Sequence, residues 1–122
     1  MSVRQPAKSF ENLLVWQKSH ALTLQVYRVP GSFPREEIYG IVSQMRRAAF
    51  AVPANIAEGF KRRGRSDKAR FLNMAQGSLE ELRYFFILAA DLGYAKHNER
   101  EAIDEVARML GAYVRTLLTP DS

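Results

Sequence analysis

Six cationic side chains, Lys61, Arg62, Arg63, Arg65, Lys68 and Arg70, fall within ten residues, and Asp67 alone offsets them. Charge of one sign packed this densely repels itself and calls for an anionic partner. Phosphate oxygens suit it, because guanidinium groups present forked donors and each neutralised phosphate releases condensed counterions. A simpler reading is a solvated turn whose cations sit well beside the negative end of a helix. Aromatic neighbours able to stack bases beside these cations are limited to Phe60 and Phe71.

Other chemistry is poorly supported. Residues 59–66, GFKRRGRS, imitate the phosphate loop G-x-x-x-x-G-K-[ST], with Arg65 where the lysine belongs. That loop must follow a strand and open a helix, whereas helical sequence precedes this one. Di-iron bundles use Glu-x-x-His pairs, and the sequence contains none. His20 and His97 read as packing or surface residues. Glu80 and Glu81 are adjacent on a helix and diverge, so a structural pair with an arginine of helix two is expected rather than an acid/base couple. With no cysteine there is neither a disulfide framework nor thiolate chemistry. The expectation is a chain with no enzymatic activity, no catalytic residue, no metal and no cofactor.

The elements that must position the cations are helical. Helix one spans about residues 13–29, with Val15, Leu22, Val26 and Val29 at helical spacing and Trp16 and Tyr27 on its shoulder. Pro34 suits the first position of helix two, and Glu36 and Glu37 favour its positive end. The apolar stripe of helix two is Ile38, Val42, Met45, Ala49, Val52 and Ile56. Ser66 with Asp67 reads as the N-cap of helix three. That helix carries the heptad row Phe71, Ala75, Ser78, Leu82, Phe85, Ala89 and Leu92, and a second row, Leu72, Leu79 and Phe86. Gly93 is expected to end it in a left-handed conformation. Asn98 and Glu101 have the spacing of a capping box for helix four, which buries Ile103, Val106, Leu110, Val114 and Leu117 before Pro120. No stretch alternates with period two, so no strand is assigned.

Four amphipathic helices with short connections predict an all-α, up-down antiparallel four-helix bundle. Leu72, Leu79, Phe86 and Trp16 exceed what one bundle interior is expected to hold, which points to burial between subunits. Pro53 deletes the hydrogen bond to the Ala49 carbonyl and crowds that turn, so helix two is expected to kink or break there. Ala48, Ala49, Ala51, Ala54, Ala57 and Gly59 remove bulk around the proline, allowing a neighbouring helix to approach. Asn55 and Glu58 share a face and are expected to tie the bend to Arg46 or Arg47.

Three phrases, LLVWQKSHALTLQVY, FPREEIYGIVSQMRRAAFAVPANIAEG and FLNMAQGSLEELRYFFILAADLGY, resemble a family of bacterial four-helix bundles first found encoded in intervening sequences of 23S ribosomal RNA genes. The resemblance covers about Phe10 to Tyr94, with PANIAEG and GSLEEL its most specific phrases. It implies a homopentameric ring of up-down bundles without a defined activity. A relative that assists the reverse transcriptase of diversity-generating retroelements is a basic pentamer that contacts nucleic acid. By position, Arg46, Arg47, Pro53, Asn55, Glu58, Gly59, Ser78 and Glu81 match the recurring residues of the family and are read as architecture. Phe50 and Ala51 stand where the family commonly has Val and Ser, so the chain lacks that hydroxyl beside its proline.

The bulk composition is consistent with this. The chain has 122 residues, 47% hydrophobic and 25% charged, which is the balance of a globular protein. No run approaches the roughly 20 apolar residues needed to span a bilayer. Residues 1–9, MSVRQPAKS, read as a flexible tail without the apolar core of a signal peptide, and 10–119 as one domain. A cytoplasmic location is expected. The net charge of +5 conceals a segment, 41–70, with eight basic and two acidic side chains. The expected function is therefore RNA or DNA binding through phosphate contacts of Lys61, Arg62, Arg63, Arg65, Lys68 and Arg70. The alternative is a protein-interaction adaptor whose charge meets an acidic surface.

Overall fold

In the computed structural model the protein is described over residues 7–95 and 99–118. Four α-helices carry the fold: α1 (Leu14–Tyr27), α2 (Ile41–Lys61), α3 (Arg65–Asp91) and α4 (Arg100–Leu118). Short 3-10 segments at Phe10–Asn12, Val29–Ser32 and Arg35–Tyr39 precede or link them. There is no strand among the described residues. Successive helices pack on one another and α4 returns to α1, which closes an antiparallel four-helix bundle around one apolar core. Asn98 and Pro120 lie outside the described residues.

The apolar stripes of α2 and α4 enter this core except at their ends, where Ile38 is exposed and Leu117 half-buried. Val42, Met45, Ala49, Val52 and Ile56 are buried, as are Ile103, Val106, Leu110 and Val114. On α3 the geometry inverts the expected order of the two rows. Leu72, Leu79 and Phe86 are buried with Ala75, Leu82 and Ala89, whereas Phe71, Ser78 and Phe85 are half-buried and Leu92 is exposed. The second row thus fills the interior of a single chain and is no surplus. Trp16 is half-buried between Phe10, at 5.0 Å, and His20, at 5.1 Å.

Helix two begins later than Pro34 predicts. Residues 35–39 form a 3-10 turn, Gly40 separates it from α2, and Ile38 is left exposed. Glycine loses most backbone entropy in a helix, and here a Cβ on residue 40 would stand 2.6 Å from Glu37 Oε1. At the other end of α3, Gly93 adopts φ 78° as predicted. The amide of Gly93 donates to Ala90 O at 3.0 Å and that of Tyr94 to Ala89 O at 2.9 Å, a Schellman closure. The Glu37 carboxylate near the Tyr94 hydroxyl raises the phenol's pKa.

Pro53 lies inside α2, which runs through it without interruption. The carbonyl of Ala49, deprived of its amide partner, receives a hydrogen bond from Thr23 Oγ1 of α1 at 3.1 Å. The same hydroxyl lies 2.9 Å from Ser19 O, so its one proton is shared between the two carbonyls. Ser19 and Thr23 are the two buried polar side chains among the described residues. The small size of Thr23 and of Ala49 lets α1 come close enough for this bond. Asn55 Nδ2 donates to Ala51 O at 2.8 Å within α2 rather than reaching an arginine.

Leu79 is 1% exposed at the centre of this packing. Truncating it in Leu79→Ala should lower the unfolding free energy by about 2–5 kcal/mol, read from denaturant unfolding. A change within about 0.5 kcal/mol would show that the row faces elsewhere.

Candidate nucleic-acid interface

The cationic cluster folds into the corner where α2 ends and α3 begins. Arg62 closes α2 in an extended conformation, its amide donating to Gly59 O at 3.2 Å. Gly64, not Ser66, is the N-cap of α3, and no side chain caps that end. Ser66 and Asp67 fall inside the first turn, where Asp67 favours the positive helix end. Gly59 makes the corner tight: a Cβ there would meet Phe71 Cβ at 3.2 Å and Lys68 O at 3.4 Å.

The six cations divide by role. Lys68 Nζ reaches back to the last turn of α2, 2.8 Å from Phe60 O and 3.4 Å from Gly59 O, and sits 5.7 Å from the Phe60 ring centroid. It adds a side-chain donor to this end of α2, where the Arg62 amide already bonds Gly59 O. Arg62 pairs with Glu58 at 2.8 Å, and its Nε, shielded from solvent, lies 4.0 Å from Asp67 Oδ2. Arg70 donates to Asp67 Oδ1 through Nη2 at 2.9 Å and Nε at 3.2 Å. Both guanidinium groups rest on Phe71, Arg62 at 4.4 Å and Arg70 at 4.6 Å from the ring centroid. Lys61, Arg63 and Arg65 are exposed. Among the described residues Lys61 and Arg63 make no hydrogen bond or ion pair.

The architectural residues occupy distinct places. Arg46 Nη2 caps the end of α1 at Tyr27 O, 3.3 Å away, with its guanidinium 4.8 Å from the Tyr27 ring centroid. Arg47 is exposed, Ser78 half-buried and Glu81 exposed. Glu58 answers Arg62 rather than Arg46 or Arg47. No bridge from Glu80 to α2 forms: Glu80 pairs with Arg83 on its own helix at 3.2 Å, and Arg83 Nη1 crosses to Asp104 of α4 at 2.6 Å. Those two carboxylates raise the Arg83 pKa, Asp104 most. Among the described residues no group of three metal-ligating side chains converges, and no helix is long and apolar enough to cross a membrane.

The cationic corner lies within a stretch, residues 11–112, that matches the model of the 23S rRNA-intervening sequence protein family. The chain belongs to that family. Among solved structures, a crystal structure at 1.70 Å of a protein of unknown function, from the S23 ribosomal protein family of Bacteroides thetaiotaomicron VPI-5482, is similar in fold. It has a TM-score of 0.63 and 21% identity, over 86% of this chain and 95% of that one. Curated proteins gave no match. Family membership thus agrees with the resemblance read from PANIAEG and GSLEEL.

The division of cations gives a stability prediction. Lys68→Met should cost about 1 kcal/mol, because Phe60 O loses its donor while Gly59 O keeps only the Arg62 amide. Lys61→Met should stay within about 0.5 kcal/mol. Thermal unfolding of both variants measures this, and equal costs would contradict the assignment of Lys68 as that donor.

Proposed function

We propose that this chain is a non-enzymatic nucleic-acid-binding bundle whose α2–α3 corner contacts the phosphate backbone of RNA or DNA with little sequence selection. The observation that carries the reading is the unequal use of the six cations. Glu58 and Asp67 hold Arg62 and Arg70 in place, while Lys61 and Arg63 project from the same corner without a protein partner among the described residues. Backbone contacts of this kind position a nucleic acid without reading its bases.

Self-assembly belongs to the same proposal, in a cytoplasmic setting and as a ring of five subunits. The side chains that support it are Leu14, Leu24, Phe50, Tyr84 and Leu92, which are large, apolar and at least 43% exposed. A ring would repeat the cationic corner in every subunit and multiply weak phosphate contacts through avidity. A bend of α2 at Pro53 would help shape the subunit for such packing. The competing adaptor reading places an acidic protein surface against the same corner.

The test is a titration of nuclease-treated protein with labelled single-stranded RNA and duplex DNA across a range of salt, with mass by light scattering. Affinity should fall steeply with salt. The double variant Lys61→Glu/Arg63→Glu should bind at least ten-fold more weakly and lose roughly 0.7–0.9 of log–log slope per phosphate contact removed. The mass should be five times the 13.9 kDa chain. Absence of binding at low salt would overturn the phosphate reading, and a monomeric mass would overturn the ring.

A further inference from the structure

We infer that the corner selects single-stranded over duplex nucleic acid, through a base-stacking ledge formed by Arg70 and Phe71. This rests on the phosphate reading above and names the form of nucleic acid that the site takes.

The geometry begins with the Arg70 guanidinium. Two hydrogen bonds to Asp67 Oδ1, at 2.9 and 3.2 Å, and the Phe71 ring, 4.6 Å away, fix its position. Asp67 also neutralises much of its charge, so Arg70 is poorly suited to serve as a freely moving phosphate donor. A guanidinium has two faces, however, and Phe71 can cover only one. With 61% of the side chain exposed, the other remains accessible. A planar cation held still at the surface is a platform for a nucleobase, which stacks on arginine planes as it does on aromatic rings.

The surroundings fit one nucleotide unit. A shallow groove along the outer side of α3 is lined by Arg65, Ser66, Ala69, Arg70, Asn73 and Met74. Met74 is 48% exposed and supplies a soft apolar wall. Asn73 offers an amide with both donor and acceptor, matched to the polar edge of a base. Arg63 and Lys61 are exposed on the segment that turns from α2 into α3, and they supply charge for the neighbouring phosphates. A base inside a duplex is covered on both faces and cannot use this ledge.

The discriminating variant is Arg70→Lys, which keeps the charge and removes the plane. A single strand carrying 2-aminopurine and its complementary duplex would be titrated against wild-type protein and this variant. Circular dichroism would confirm equal helicity. Wild type should bind the single strand about ten-fold more tightly than the duplex and change the 2-aminopurine fluorescence, as one stacked base permits. Arg70→Lys should keep the salt dependence but lose the preference and the fluorescence change. Salt-dependent binding with equal affinity for the two forms, or a preference that survives Arg70→Lys, would overturn the ledge while leaving the phosphate reading intact. No binding of either form at low salt would overturn both.

Discussion

The carbonyl of Ala49 is the constraint around which the first half of the bundle is arranged. Pro53 removes the amide that would bond it, and a buried carbonyl without a partner is costly. The Thr23 hydroxyl answers it from another helix at 3.1 Å. That bond requires α1 to approach α2 closely, which the small side chains of Thr23 and Ala49 permit. Once α1 is placed, the Tyr27 carbonyl at its end meets Arg46, and the loop through Gly40 brings the chain back into α2. An interior proline therefore acts here as a registration point between helices.

At the far end of α2 a second economy operates. The Arg62 amide closes the helix on Gly59 O, and Lys68 adds a side-chain donor to Phe60 O from the first turn of α3. Gly59 permits the approach, and Asp67 gathers Arg62 and Arg70 against Phe71. The same short stretch thereby holds two helices together and leaves cations facing solvent. Stability and charge presentation are inseparable in this corner. The contacts that hold Arg70 against Asp67 and Phe71 are also what would make it a fixed surface for a ligand.

Much of this was legible in the residues. The stripes of α2 from Val42 and of α4 as far as Val114, the left-handed Gly93 and the cationic turn lie where their spacing places them. The two rows of α3 are hard to tell apart in sequence because Phe71 and Leu72 head neighbouring stripes that are both apolar. Periodicity alone does not say which of two neighbouring rows faces the interior. Pro34 and the glutamates announce a helical turn without saying whether it is 3-10 or α, and Gly40 decides the matter. Thr23 left a faint signal as a polar residue beside the apolar positions Leu22 and Val26. Its role depends on an acceptor 26 residues away. The partition of the cations was hidden for the same reason, since the reach of Lys68 to Phe60 exists only once the helices have turned back on each other.

The most direct measurement is a double-mutant cycle between residues 23 and 53, read by denaturant unfolding. Thr23→Val keeps the shape of the side chain and removes its hydroxyl, so in the native background it should cost about 1–2 kcal/mol. In a Pro53→Ala background the amide of residue 53 is restored, and most of that cost should disappear, leaving a coupling of about 1 kcal/mol between the two sites. An identical cost in both backgrounds would mean that Thr23 does not stand in for the missing amide, and the account of how α1 is registered on α2 would fail.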